Sequence, residues 1–228
     1  IRDRCDAGTA LAIMGNHEFN AIGWVTKNEN GLFLRSHNDV HLEQHEEFLK
    51  QVVENSKVHQ DAINWFWSLP ILIDHTSYRA VHACWHNDSI KILDQYCLDE
   101  NMRFTRIGFN LAHQRNSPMN EAMEVVLKGP EEKLPKEVSF YDKSGHLRHE
   151  ARIKWWDRSA TTFRKAALGM DGREAELPET PINLKYQYLD SKPVFFGHYW
   201  LKGTPVIEAE NALCLDYSVA KGGDLVGY

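Results

Sequence analysis

Three short apolar runs in this chain stop at the same kind of residue. Thr9–Met14 (TALAIM) reaches Gly15 and then Asn16, His17 and Glu18. Tyr78–Ala83 carries His82 near its end, in Val81-His82-Ala83-Cys84-Trp85, and Pro193–Phe196 runs into Gly197-His198-Tyr199-Trp200. Apolar runs of this length, bounded by glycine or polar residues, read as buried strands. Polar residues at the ends of separate strands converge along a sheet edge, so the pattern restricts the chain to a layered α/β fold whose chemistry sits at the strand ends.

The rest of the chain is consistent with that class. Helical spacing covers Leu42–Val53 and Ala62–Leu69, with Pro70 closing the second segment, and returns at Ser89–Tyr96. Ile71–Asp74 and Tyr78–Ala83 read as two strands joined by a polar turn at His75–Ser77. Residues 98–181 are the least regular. There the pattern predicts a helix over Glu121–Leu127 and another over Arg158–Leu168. It also predicts a hairpin of Val138–Tyr141 and Leu147–Ile153 around an Asp142–Gly145 turn. Pro193–Phe196, Pro205–Ile207, Ala212–Leu215 and Leu225–Tyr228 complete the predicted strands. Strands alternating with helices early, then following one another late, predict an α/β domain with a mixed sheet.

Charge narrows the class of partner. Twenty-six Lys and Arg stand against 32 Asp and Glu, a formal net charge of −6, which leaves no basic footprint for a nucleic-acid polymer. A phosphate-handling protein with this balance takes its positive element from bound metal ions. Cys5, Cys84, Cys97 and Cys214 are scattered, with no C-x-x-C pair, and read as reduced thiols of a cytoplasmic protein. No apolar run is long enough to span a membrane. The chain opens on Ile1, and Arg2–Ala12 reads as the end of a helix running into a strand, so the sequence is expected to be a fragment.

Residue chemistry gives the strand ends their meaning. An Asn side-chain oxygen suits a hard or borderline divalent cation, and an imidazole serves either as a metal ligand or in proton transfer. A lone strand-end histidine is more often a core residue, but three strand ends bearing Asn or His form a set. His37, His41 and His45 recur every fourth residue and read as a solvated helix face. His86 suits a place behind the strand-end residues or on the surface, and His146 and His149 flank a turn in water.

Gly15-Asn16-His17-Glu18, then Val81-His82-Ala83-Cys84, then Gly197-His198 together resemble the second half of the calcineurin-like metallophosphoesterase pattern. The likeness is to the bacterial branch near diadenosine tetraphosphatases and serine/threonine protein phosphatases. Cys84, where protein phosphatases usually have Gly, points to the same branch. Ala212–Tyr228 resembles the paired strands that close that fold. The resemblance implies one metallophosphoesterase domain over residues 1–228. Its expected form is an α/β/β/α sandwich with mixed sheets lacking its N-terminal strands, and with a variable cap-like insertion at about 98–181.

Carried over position by position, the resemblance makes Asn16, His82 and His198 metal ligands and His17 the acid that protonates the leaving group, with Glu18 supporting the loop. Arg164, ahead of Arg158, is its substrate-binding arginine. The implied cofactors are two divalent ions, Mn²⁺ or Fe/Zn, and the implied reaction is attack of a metal-bridged hydroxide on a phosphate ester or phosphoanhydride. The implied substrate is a phosphorylated small molecule or nucleotide, with a phosphoprotein second, and neither a nucleic-acid polymer nor a membrane is a partner. Trp85, Tyr199 and Trp200 would wall a nucleobase or roof the metal site. The Asp-x-His and Gly-Asp-x-x-Asp-Arg-Gly segments that the family places upstream of Gly15-Asn16-His17-Glu18 are not found ahead of it here, so at most one cation site is expected and activity is expected to be impaired. A catalytically degenerate binding or scaffold module is the alternative.

Overall fold

Small polar side chains start several helices of this chain, in a computed structural model that describes residues 1–141, 145–170, 172–183 and 185–228. In chain order the elements begin with α1 (Arg2–Asp6), α2 (Asn16–Val25), α3 (Asp39–Val52), α4 (Lys57–Trp67), β1 (Leu72–Asp74) and β2 (Arg79–Val81). They continue with α5 (Asn87–Tyr96), α6 (Arg106–Ala112), α7 (Pro118–Lys128), β3 (Glu131–Lys133), β4 (Phe140–Tyr141), β5 (Leu147–Arg148) and β6 (Glu150–Ile153). The last are α8 (Phe163–Ala166), β7 (Ala167–Leu168), β8 (Val194–Phe196) and β9 (Ala212–Cys214). The architecture is mixed α/β, and the chain divides into two compact units, residues 1–73 with 91–123 and residues 74–90 with 124–228.

The first unit is helical. The side chains of Asn38, Ser56 and Thr105 accept the N–H groups of His41, His59 and Gly108, capping α3, α4 and α6. These caps explain why α3 and α4 begin at Asp39 and Lys57, earlier than apolar spacing alone predicts. The core is aromatic. Phe19 packs against Phe109 and Phe104 with ring centroids 4.7 and 5.3 Å apart, and stacks on His113 at 4.5 Å. Gly108 lies so close to the Cys97 backbone that a Cβ there would overlap the Cys97 carbonyl.

In the second unit β2, β8 and β9 run parallel, within a sheet whose order is β1-β2-β8-β9. Arg79 and Ala80 face Val194 and Phe195, and Phe195 and Phe196 face Leu213 and Cys214. β3, β6 and β7 form a separate antiparallel sheet, and β4 pairs antiparallel with β5. Trp155 ties the layers together. Its indole N–H lies 3.0 Å from the Ala83 carbonyl and 2.9 Å from the Tyr199 hydroxyl, while its ring packs on Phe196.

Several expected elements come out differently. Thr9–Met14 is not a strand: it has no ladder partner, and the Met14 N–H goes to the Pro70 carbonyl at 2.8 Å. Met14 is buried, which accounts for the apolar signal, but Leu11 faces solvent. The helix expected over Arg158–Leu168 shrinks to α8, because Asp157 captures the Ser159 N–H and hydroxyl in a local turn. Pro205–Ile207 is not a strand either, since the Val206 N–H is taken by the Tyr217 hydroxyl. Leu225–Tyr228 contributes only an isolated bridge between Leu225 and Asp216. Of the predicted Asp142–Gly145 turn, residues 142–144 lie outside the described residues, while the flanking Tyr141 and Leu147 do pair. Among the described residues, no helix is long and apolar enough to cross a membrane.

Candidate functional site

Because β2, β8 and β9 are parallel, their chain ends meet along one edge of the sheet, where open α/β sheets bind their ligands. His82 follows β2, Gly197 and His198 follow β8, and Leu215 and Asp216 follow β9. The ladder continues past the assigned strands. The Gly197 N–H donates to the His82 carbonyl at 2.9 Å, and the Leu215 N–H to the Phe196 carbonyl at 2.7 Å. A Cβ at Gly197 would lie 3.4 Å from the Asp216 Cβ and 3.7 Å from the His82 carbonyl oxygen, in ordinary contact with both.

The two histidines meet side chain to side chain. His82 Nε2 lies 3.2 Å from His198 Nδ1, with the rings 5.1 Å apart and inclined at 67°. One nitrogen holds the shared proton and the other accepts it. Two nitrogens about 2.05 Å from a tetrahedral cation stand about 3.3 Å apart, so the same spacing suits one divalent ion in place of the proton. His198 has φ +75°, in the left-handed region that non-glycine residues enter uncommonly.

Asp216 fixes the chain that follows. Its carboxylate accepts the N–H groups of Trp200 at 3.2 Å and Ser218 at 3.1 Å, and its backbone carbonyl accepts the Leu201 N–H at 3.0 Å. Trp200 also has positive φ, at +51°. Beneath this strap the structure is apolar. Tyr199 is buried among Trp155, Trp156 and Phe196. Burial raises the Cys84 thiol well above its ordinary range and pushes Cys214 up to about 12, so both thiols stay protonated at neutral pH.

The other sequence-predicted residues fall in several places. Asn16 and His17 belong to the first unit, on the first turn of α2 rather than on a turn before it. Helix formation there is helped by Glu18, whose carboxylate accepts the Gly15 N–H at 2.9 Å, one half of a capping box. Arg164, on α8, is engaged by the Glu179 carboxylate at 2.9 Å and the Leu177 carbonyl at 2.8 Å. Arg158 donates to the Tyr188 carbonyl at 3.0 Å. His86 packs on Tyr186 and pairs with the Ser89 hydroxyl at 2.9 Å, and burial lowers its pKa. Trp85 is core, with its indole N–H on Asn87 and the Arg79 guanidinium over its ring. Of the three expected aromatic-wall residues, only Trp200 is exposed.

The predicted solvated histidine face of α3 is corrected at His45. His37 precedes the helix and is exposed, with its ring stacked on Trp24 and Phe33 at centroid distances of 3.7 and 4.1 Å. His45 is buried against Trp24. Asp216 is the residue that sequence reading undervalued. It ends an apolar run, Ala212–Leu215, with the same grammar that marked His82 and His198. Among the described residues, no three His, Cys, Asp or Glu side chains gather closely enough to hold a metal ion by themselves. No family model matches the chain, and no curated protein matches it.

Proposed function

We propose that this chain carries part of the catalytic apparatus of a metal-dependent hydrolase of phosphate esters or phosphoanhydrides, with the calcineurin-like fold its motif order implies. The observation that carries the reading is the His82–His198 pair: two imidazole nitrogens 3.2 Å apart at the ends of adjacent parallel strands. That spacing and donor type fit Mn²⁺, Fe or Zn²⁺. A bound divalent cation neutralises phosphoryl charge and activates water.

The protein's own groups supply the rest. His82 and His198 hold the cation, and the backbone bond from Gly197 to His82 keeps the two strand ends at a fixed separation. Asn16 contributes an amide oxygen and His17 the proton for the leaving oxygen, two roles that rest on the motif resemblance. Arg164 grips a substrate phosphate by exchanging its ion pair with Glu179 for it. The substrate is a phosphorylated small molecule.

Calorimetric titration with Mn²⁺ tests the cation site directly. Wild type binds Mn²⁺, and His82→Ala and His198→Ala each lose it while keeping a cooperative thermal transition. Equal binding by wild type and both variants would sink the reading. Mn²⁺-stimulated hydrolysis of p-nitrophenyl phosphate that is lost in His17→Ala tests the acid role.

A further inference from the structure

The turn that joins α3 to α4 is made of three residues, each under its own constraint. Val53 sits at φ +55° and Asn55 at φ +63°, and for a β-branched residue such as Val53 that region is a genuine outlier. Between them Glu54 accepts the indole N–H of Trp24 at 2.8 Å, and the Asn55 N–H donates to Nδ1 of His59 at 3.0 Å. Trp24 and His59 are buried, while Val53 is exposed. A strained turn is thus held shut by two hydrogen bonds to buried rings.

Behind the turn lie two imidazoles that resist a second proton. Phe48 packs on both, with ring centroids 5.2 Å from His45 and 5.7 Å from His59, and His45 packs on Trp24 at 5.2 Å. Among the described residues, the Nε2 atoms of His45 and His59 are both buried without a hydrogen-bond partner. The other titratable and charged groups that face the pair are His17 on α2, Arg35 ahead of α3, and Glu54 in the turn itself. Arg35 is fixed by Asn20 and Gln44. Glu54 alone favours imidazolium, and burial outweighs it at both rings.

We propose that the Val53–Asn55 turn is an acid-operated latch, opening as a local unit when His59 and His45 take up protons. His59 is the trigger. When neutral, its Nδ1 accepts from Asn55; when protonated, Nδ1 carries a hydrogen of its own and meets the Asn55 N–H donor to donor. With that bond lost, the strain at Val53 favours release, Glu54 leaves Trp24, and both imidazoles reach water. The open turn binds protons that the closed turn refuses, so acid drives it open and neutral pH closes it. Trp24 belongs to the last turn of α2, whose first turn carries Asn16 and His17, so the latch acts on the helix that bears those residues. The device is independent of the phosphate-ester reading.

Hydrogen exchange followed by NMR, as protection relative to an unstructured chain at the same pH, reads the latch directly. From about pH 7.5 to about pH 5.5, protection of the Trp24 indole and the Asn55 amide should fall about tenfold for each histidine that charges, and up to about a hundredfold for both. Amides of Val194–Phe196 in the second unit should keep theirs. His59→Asn supplies an amide oxygen in place of Nδ1 and does not titrate, so it should stay closed at neutral pH and lose one of those steps. His45→Leu should lose the other, and the double variant should show no fall. His59→Phe has no acceptor and should be open at both pH values. Wild-type protection that is indifferent to pH, a fall that Val194–Phe196 share in full, or a fall that persists in the double variant overturns the latch, as does full protection in His59→Phe.

Discussion

The Nδ1 atom of His59 accepts the backbone N–H of Asn55 at 3.0 Å, in the turn between α3 and α4. An imidazole that accepts at Nδ1 carries its own proton on Nε2, and that atom is buried without a hydrogen-bond partner. A second proton has to enter at Nδ1, directly against the Asn55 N–H. His59 is therefore held neutral by geometry, and its pKa is lowered chiefly by burial, with Glu54 opposing. His45 is lowered to about 4, chiefly by burial and also by the Arg35 charge, with Glu54 opposing.

The sign of the pH dependence follows. Between about pH 6.5, the ordinary histidine value, and about 4, the unfolded chain binds protons that the folded first unit refuses, so stability falls as pH drops through that window. The depression of His45 alone, from 6.5 to about 4, corresponds to a loss of up to about 3 kcal/mol once pH is below both values. Urea unfolding followed from pH 7 to pH 4 should show the midpoint sliding downward. His45→Leu should flatten the slide, and an unchanged slope in that variant would remove His45 as its source.

Cation binding at the His82–His198 pair should itself depend on pH. The nitrogens 3.2 Å apart share a proton, which moves to an outer ring nitrogen when a cation takes the space between them, and acid weakens binding because it protonates the rings in competition with the cation. Loss of either imidazole should cost more than the roughly 10- to 100-fold that loss of an outer partner costs. Mn²⁺ titrations at about pH 7.5 and about pH 5.5, either side of the ordinary histidine value, would report the competition, and equal affinities at both would contradict it.

Local rules made part of this fold readable. Helices over α3 and α4 follow from apolar spacing, although the caps at Asn38 and Ser56 start them earlier than that spacing predicts, and the strand identity of Val194–Phe196 follows from its apolar run. What depends on distant partners was not readable. Thr9–Met14 has the composition of a strand, but a strand exists only where another lies beside it, and the Met14 N–H finds Pro70 instead. The spacing of His41 and His45 places them on one helix face, yet nothing in α3 says that Trp24 covers His45. The parallel pairing of β2 with β8 joins Arg79 to Val194 across more than half the chain, and with it His82 to His198. The residue types at the candidate site were legible one at a time, while their separation was not.

Trp155 should be the most sensitive single position beneath the site. Its indole N–H serves the Ala83 carbonyl and the Tyr199 hydroxyl together, inside a pocket closed to water. Trp155→Phe preserves the apolar ring but strands those acceptors, which predicts a loss of about 1–3 kcal/mol. Thermal unfolding should register it as a lower midpoint. Tyr199→Phe, which keeps the Trp155–Ala83 bond, should cost less, and the reverse order would place the stabilisation elsewhere.

Asp216 should be what holds the strap after His198 in its strained conformation. Its carboxylate is the acceptor for the N–H groups of both Trp200 and Ser218, and these bonds hold Trp200 at φ +51° with the ring beside Lys221. Asp216→Ala removes both acceptors. The strap is then free to leave the strained conformation, and hydrogen exchange at the Trp200 and Ser218 amides should accelerate, the change expected of local opening. Asp216→Asn keeps one acceptor oxygen and should give exchange rates between those of wild type and Asp216→Ala. Exchange at both amides that stayed at the wild-type rate in Asp216→Ala would show that the strap is held elsewhere, and the positioning role would be withdrawn.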